Sequence, residues 1–393
     1  DIRNDVFVEA LIKRWRPYND FVRFSGDCVY SRKLNRVASV DTPVDGSNMK
    51  IELVNSDEFE TIKEKAISIC VGKKGIGTQE VTVQILGDSF VNGAFFRDAL
   101  LSKNYIPGIK LVGLRNIKNE EGQYDEGRGG WTVKKYFEIP KGEMTSYHGY
   151  MQPVGEYRYW GSCEFWKNCY KVINGELTDT EIVYNCGRYD QCITKFDKET
   201  GYLAAPKKND LMYDNARGSY MVYTGKKWKN VEVDERKWAF NYRKYLDMWN
   251  LDAPKFFAQM LGLNDYRDSL TADYREWNKK IAEMKESYYK AVPDGKFIIL
   301  IPCTTCGSLN NIRGDFTLRQ NASMWQLRKN IIDTFDGRES EGYYVVDIGI
   351  TIDNEKGYNR NRDGIQTGNP HPYPNYPTMG IPLAAFIQYY REL

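Results

Sequence analysis

The chain has 393 residues, which is more than one hydrophobic core usually fills, so we expect a main domain with an added module or large insertions. Its 55 Lys and Arg residues nearly balance 53 Asp and Glu residues, and no stretch concentrates basic side chains. This charge pattern disfavours nucleic acids and anionic membranes as partners. Apolar runs such as residues 297–301 are far shorter than the roughly 20 residues of a membrane-spanning helix, so we expect a soluble chain.

The chain begins at Asp1 and not at an initiator Met, which suggests a processed start and favours a secreted or cell-surface protein. Aromatic residues make up 14% of the chain, with 29 Tyr and 9 Trp. Flat rings with polar edges suit carbohydrate surfaces, although ordinary core packing explains most of these residues. The composition is therefore compatible with a carbohydrate ligand without requiring one.

Two regions with different patterns divide the chain. Residues 1–76 alternate short apolar groups with turn residues, which predicts a small β-rich N-terminal module, or else an extended lead-in. From residue 77 to 393 the order becomes strand, helix, strand, which is typical of an α/β fold with a parallel sheet and helical crossovers. We expect about five strands in this sheet, at residues 81–86, 109–114, 256–261, 296–301 and 343–350.

The clearest helix is predicted over residues 269–292, where apolar side chains recur at steps of three and four and form one stripe for packing on the sheet. The members of this stripe are Tyr274, Trp277, Ile281, Met284 and Tyr288. Further helices are predicted over residues 92–104, 320–336 and 381–393.

Residues 155–232 interrupt the α/β pattern and are rich in Tyr, Trp, Gly and Cys. Strand-like pieces at residues 180–184 and 220–223 lead us to interpret this segment as a β-rich insertion beside the active face of the sheet.

The four cysteines of the insertion form two pairs with five intervening residues each, wider than the spacing usual for structural zinc. Disulfides in an exported protein are favoured, unpaired thiols come next, and a metal site is least favoured. The C-x-x-C at residues 303–306 is expected to be a structural pair or plain thiols, with a redox role as the less favoured alternative.

Ser89 is the first candidate for chemistry. The strand at residues 81–86 runs directly into Gly87, Asp88 and Ser89, with a helix predicted to follow near Asn92. A Ser at such a turn lies at the carboxyl edge of a parallel sheet, where open α/β folds bind ligands, and Gly permits the bend. The tripeptide alone is a weak signal, because a helix N-cap Ser after a Gly turn gives the same pattern.

Two further stretches could supply hydrogen-bond donors to an oxyanion. Gly129 and Gly130 are expected in a loop after the second strand, and paired glycines let a backbone N–H approach a ligand closely. A flexible loop tip is the alternative. Asn264 follows the strand at residues 256–261, where its amide could donate to a developing alkoxide, or could form an Asx-turn that closes the strand.

The chain contains only two histidines, so a general base with an ordinary pKa near neutrality must be His371 or His148. Pro370 and Pro372 restrict the backbone on both sides of His371, which favours a positioned imidazole. His148 lies in a Gly/Tyr-rich loop that follows no predicted strand, so we predict a structural role for it.

The four stretches occur in the order of the sequence blocks of the SGNH (GDSL-type) hydrolase superfamily, which supply a Ser, a Gly, an Asn and a His. The chain resembles that superfamily over about residues 77–393, outside the insertion. Residues 126–132, Glu-Gly-Arg-Gly-Gly-Trp-Thr, resemble the second block of esterases that act on carbohydrates. The resemblance implies a three-layer α/β/α sandwich. It also implies that Ser89 is the nucleophile, His371 the base, and Gly130, Asn264 and the Ser89 N–H the oxyanion-hole donors.

One position departs from the family pattern. The family usually places an Asp three residues before the His, and here that position holds Gly368. The residue that orients the imidazole is therefore unassigned, with Asp363, Asn369 or a backbone carbonyl as the candidates. Loss of such a group can cost about four orders of magnitude in a strong triad.

The prediction is a serine esterase that removes a small acyl group, most simply O-acetyl, from a carbohydrate, without a cofactor or metal. The carbohydrate part depends on the loop around Trp131, the aromatic insertion and the family resemblance.

A lipid esterase or thioesterase is one alternative, and it would need an apolar groove that the sequence does not indicate. The other is a glycan-binding or structural module with little catalysis, which the missing Asp favours. The sequence predicts no oligomeric state.

Overall fold

A computed structural model describes residues 4–8, 11, 20–32, 37–72, 80–93, 100–101, 107–116, 124–187, 189–303, 318–353, 357–359, 362, 371–373 and 376–391. The strands are β1 (Asn4–Phe7), β2 (Asp20–Ser25), β3 (Val29–Arg32), β4 (Val37–Val40), β5 (Asn48–Asn55), β6 (Thr61–Ser68), β7 (Val81–Gly87), β8 (Ile109–Leu111), β9 (Glu126–Gly127), β10 (Met151–Pro153), β11 (Arg158–Ser162), β12 (Asp210–Asp214), β13 (Ser219–Tyr223), β14 (Trp228–Val231), β15 (Trp238–Phe240), β16 (Phe256–Met260), β17 (Lys296–Ile301) and β18 (Tyr343–Asp347). The α-helices are α1 (Ser89–Asn92), α2 (Cys163–Ile173), α3 (Thr180–Cys186), α4 (Asp190–Ile193), α5 (Tyr242–Trp249), α6 (Leu263–Tyr266), α7 (Arg275–Ala291), α8 (Leu318–Phe335) and α9 (Tyr376–Tyr390).

The predicted parallel sheet is confirmed and has six strands. Five follow the order β18-β17-β16-β7-β8, and β9 pairs with the carboxyl end of β7 beyond the last residue of β8. Every pairing in this sheet is parallel. β16 and β17 are almost entirely buried, as strands covered on both faces must be.

Helices cover both faces of the sheet. Phe256 and Phe257 are neighbours on β16, so their side chains point to opposite faces. The ring of Phe256 packs against Phe386 of α9, and the ring of Phe257 packs against Tyr288 of α7. The α7 and α9 helices therefore lie on opposite faces, which gives the three-layer arrangement. No helix in the described part of the chain is long and apolar enough to span a bilayer.

The predicted helices differ from the observed ones at their ends. α7 begins at Arg275, and of the predicted stripe Trp277, Ile281, Met284 and Tyr288 are buried. The α8 helix ends within one residue of the prediction, whereas α9 begins five residues earlier than predicted. The α1 helix starts at Ser89 and stops after one turn, and the remainder of the predicted helix at residues 92–104 lies largely outside the described residues.

The N-terminal segment contains two antiparallel sheets, with strand orders β1-β4-β3 and β2-β5-β6. They enclose a small hydrophobic cluster of their own, formed mainly by Val8, Val22, Phe24, Ala38 and Met49. This agrees with the β-rich character expected from the sequence. The predicted boundary at residue 76 lies outside the described residues and stays a prediction.

The insertion is less β-rich than predicted. Its strands β11 to β14 form a four-stranded sheet, but α2, α3 and α4 lie between β11 and β12. The strand predicted at residues 180–184 is wrong, because these residues belong to α3. The Asp179 carboxylate accepts the backbone N–H groups of Glu181 and Ile182 at 2.9 and 3.1 Å, and this N-cap outweighs the β preference of Ile182 and Val183.

The cysteines of the insertion are buried thiols. Cys163 and Cys169 lie in α2 and Cys186 ends α3, and no disulfide joins them within the described residues. Burial raises the pKa of the Cys169 thiol, and the neighbouring thiol of Cys186 adds to this shift. In the described part of the chain no group of three or more His, Cys, Asp or Glu side chains could hold a metal ion. Cys306 lies outside the described residues.

A buried ion pair connects the edge strand β9 to the rest of the sheet. The Glu126 carboxylate lies 2.7 Å from Arg128 Nη1, and both side chains are almost completely buried. Glu126 Oε1 also accepts the Leu114 N–H and the Tyr245 hydroxyl, each at 2.6 Å. The backbone N–H of Arg128 in turn donates to the Gly87 carbonyl at the end of β7. The pair therefore fixes the loop after β9 against the end of β7.

Substitution of Arg128 by Ala should lower the free energy of unfolding by about 3–5 kcal/mol, because it leaves the Glu126 carboxylate buried without its cation. Urea denaturation followed by circular dichroism measures this loss. Glu138→Gln breaks an exposed ion pair with Lys135 and should cost less than about 1 kcal/mol. Equal, small losses in both variants would contradict the importance of the buried pair.

Candidate active site

The turn between β7 and α1 fixes the position of Ser89. A Cβ atom on Gly87 would lie 2.5 Å from a Val91 methyl group and 2.7 Å from the Met260 carbonyl oxygen, so only glycine fits here. The Asp88 carboxylate accepts the Phe90 N–H at 3.1 Å and caps α1. Ser89 is thus held, half-buried, at the carboxyl end of a central strand of the sheet.

His371 lies directly beside Ser89. Its Nε2 atom is 2.7 Å from Ser89 Oγ, although 282 positions separate the two residues in the sequence. The imidazole ring packs between the rings of Phe90, at 4.7 Å, and Tyr373, at 5.8 Å between centroids. Burial lowers the pKa of His371 to about 4. The ring is therefore uncharged at neutral pH and able to accept a proton from the hydroxyl.

Asn264 links the Ser89 turn to the glycine loop. It lies in the first turn of α6, and its Nδ2 donates to the Trp131 carbonyl at 3.1 Å and, more weakly, to Asp88 Oδ2 at 3.4 Å. The amide of Asn264 thus lies between residues that adjoin Ser89 and Gly130 in the chain. Gly130 is exposed and has a φ of +73°, a conformation that favours glycine.

Two carboxyl groups, the buried Asp88 and the half-buried Asp265, support these loops. Asp265 accepts the Val133 N–H through both oxygens, at 3.0 and 3.2 Å, and so holds the chain that follows the glycine pair. Burial raises the pKa values of Asp88 and Asp265 to about 7, and the charge of Asp265 adds to the shift of Asp88. Both groups bind main-chain N–H groups, so their role is to position backbone.

Asp363 and Asn369, the two side chains predicted as candidates for orienting His371, lie outside the described residues, as does Gly368 at the position where the family pattern has Asp. The third member of the predicted triad stays unassigned.

Two aromatic residues of the sequence prediction are structural. Trp131 is 8% exposed and packs against the Arg128 guanidinium and the Tyr136 ring, so it offers no surface to a sugar. His148 is buried; its Nε2 contacts the Glu138 carbonyl at 3.0 Å and its Nδ1 accepts the Tyr150 N–H. Burial lowers the pKa of His148 to about 3, in keeping with the predicted structural role.

Two residues beside the site, Arg115 and Tyr184, were not predicted from the sequence. Arg115 is buried, and its Nη2 donates to Asn92 Oδ1 at 3.1 Å and to the Tyr184 carbonyl at 3.2 Å. Nothing in the local sequence marks Arg115, because its partners come from distant segments. The helix that carries Tyr184 could have been found from Asp179, whose position before Thr180 and Glu181 matches an N-cap.

No family model and no curated protein matches the sequence. Among solved structures, a carbohydrate esterase family 3 protein from Talaromyces cellulolyticus is 12% identical, with a TM-score of 0.35, covering 80% of this chain and 99% of that one. A mutant acetyl esterase with acetate ion is also 12% identical, with a TM-score of 0.35, over 79% of this chain and 99% of that one. A Bacillus subtilis protein is 10% identical, with a TM-score of 0.29, over 95% of this chain and 75% of that one. These values are too low to identify a family, so the functional assignment depends on the site itself.

The His371 imidazole should titrate with a midpoint near pH 4, because burial disfavours its charged form. Since the chain has only two histidines, NMR titration of the ring signals measures both, and His371→Asn assigns the signal that disappears. His148 is the internal control and should titrate lower, at about 3. A midpoint for His371 at or above the ordinary 6.5 would contradict the buried placement of the ring.

Proposed function

We propose that the protein is a serine ester hydrolase. The observation that carries the proposal is the 2.7 Å contact between Ser89 Oγ and His371 Nε2 at the carboxyl edge of the parallel sheet. A hydroxyl next to an uncharged imidazole is the arrangement that nucleophilic catalysis requires, because the base takes the proton as the oxygen attacks.

In the proposed reaction, Ser89 Oγ attacks the ester carbonyl carbon while His371 Nε2 accepts the hydroxyl proton. Collapse of the tetrahedral intermediate breaks the bond to the alcohol, which leaves with the proton from His371. Water, deprotonated by His371, then attacks the acyl-enzyme and releases the carboxylic acid with Ser89 restored. The Ser89 N–H, the Gly130 N–H and the Asn264 amide are the proposed donors to the oxyanion.

The proposed substrate is a small acyl ester of a carbohydrate, with O-acetyl as the simplest case. This part is supported by the resemblance of residues 126–132 to the corresponding block of esterases that act on carbohydrates. It is consistent with the proposed location of the protein outside the cell or on its surface, where polysaccharides are accessible. Because Trp131 is buried, its ring does not support a carbohydrate substrate.

Ser89→Ala should lower kcat/KM for an aryl acetate by at least about 10³-fold, because the nucleophile is lost while the rest of the site remains. Release of the phenolate, followed by absorbance, measures the rate. Ser25→Ala, which removes an exposed hydroxyl from β2, is the matched control and should behave as wild type. Equal, slow release by wild type and Ser89→Ala would reject the enzyme and favour the glycan-binding alternative.

Asn264→Ala should reduce kcat by about 10²–10³-fold with a much smaller change in KM, because an oxyanion donor acts on the transition state more than on the bound ester. Steady-state kinetics with the same aryl acetate separate the two constants. Asn174→Ala, at the exposed end of α2, removes an equivalent amide away from the site. A change confined to KM would remove Asn264 from the oxyanion hole and leave Ser89 and His371 unaffected.

A further inference from the structure

Tyr184 belongs to the insertion but lies beside the Ser89 site. It is on α3, which is capped at one end by Asp179 and ends at the buried Cys186. The Tyr184 hydroxyl reaches Gly129 so closely that a Cβ atom on this glycine would lie 1.2 Å from Oη. Gly129 does not have a positive φ, in contrast to Gly130. The absence of a side chain at position 129 is therefore explained by the approach of Tyr184 and not by backbone conformation.

One guanidinium fixes Tyr184 relative to the nucleophile. Arg115 Nη2 donates to the Tyr184 carbonyl at 3.2 Å and to Asn92 Oδ1 at 3.1 Å, and Asn92 ends the single turn of helix that Ser89 begins. The adjacent Nη1 donates to Ser146 Oγ at 3.0 Å. Because Arg115 is buried and held at several points, α3 and α1 keep a defined relative position.

The side chain of Tyr184 remains open to a ligand. It is 42% exposed, and its hydroxyl makes no hydrogen bond with any described residue. Burial of the remainder of the side chain raises the pKa of Tyr184, so the phenol is protonated and can donate at neutral pH. The charge of Asp88 contributes to that shift, which agrees with the position of the phenol near the Ser89 turn.

We propose that Tyr184 is a substrate-positioning residue whose hydroxyl binds a free hydroxyl group of the sugar that carries the ester. This inference rests on the proposed function. A phenol that lies against Gly129 and has no hydrogen-bond partner among the described residues gains a hydrogen bond from a polyhydroxy alcohol group, whereas the methyl group of an acetyl ester offers none. Tyr184 thereby makes the insertion part of substrate recognition and favours esters of carbohydrates over simple esters.

The test compares Tyr184→Phe with wild type on a panel of mono-O-acetylated methyl glycosides and on an aryl acetate, which has no sugar hydroxyl. The ratio of kcat/KM for the best glycoside to kcat/KM for the aryl acetate should fall about five- to tenfold, chiefly through a higher KM. Val183→Ala, on an exposed neighbouring position of α3, should keep the wild-type ratio. An unchanged ratio in Tyr184→Phe would overturn the inference.

A binding experiment separates this inference from the proposed chemistry. The same glycosides are titrated into Ser89→Ala and into the double variant Ser89→Ala/Tyr184→Phe, followed by NMR. The dissociation constant should rise about five- to tenfold in the double variant. Equal affinities, or no binding of any glycoside to Ser89→Ala, would refute the role of Tyr184. Failure of wild type to hydrolyse any ester would refute the proposed function alone.

Discussion

The buried pair of Glu126 and Arg128 is the interaction on which the geometry of the site depends. It takes two charges out of water at the edge of the sheet, where hydrogen bonds from Leu114 and Tyr245 to Glu126 Oε1 add to the ion pair that Oε2 makes with Arg128. The Tyr136 hydroxyl, which lies 2.7 Å from the Gly87 carbonyl oxygen and 2.6 Å from the Glu126 carbonyl oxygen, joins β7 to β9. Removing either charge would leave the other buried without its partner.

The buried ion pair positions the neighbouring parts of the site. The loop that leaves Arg128 carries Gly129 and Gly130, and its Trp131 carbonyl accepts the Asn264 amide. On the opposite side, Gly127 is so close to α1 that a Cβ atom would lie 2.1 Å from the Asn92 nitrogen. Ser89, the glycine pair and Asn264 are thus parts of one continuous hydrogen-bonded and packed unit, to which His371 is added from the C-terminal region.

Sequence patterns located the strands of the parallel sheet well and failed to predict the helix at Thr180–Cys186, for a physical reason. The buried strands such as residues 296–301 are continuous apolar runs, which few other structures accommodate, so their positions follow from hydrophobicity. Residues 180–184 contain β-branched side chains, and their helical state depends on one capping carboxylate from Asp179. Trp131 shows the same limit at the site, because its burial depends on Arg128 and Tyr136 and is not visible in its neighbours along the chain.

The sequence by itself determined the α/β class, the strand that leads into Ser89 and the small set of residues able to act as base or donor. Composition limited the candidates for the proposed base to two histidines, and His371 was preferred because His148 follows no predicted strand. The tertiary structure decided the 2.7 Å approach of His371 to Ser89, the burial that lowers its pKa, and the placement of Tyr184 over Gly129. Distances between segments that lie hundreds of residues apart depend on how the whole core packs, and local sequence patterns do not predict that packing.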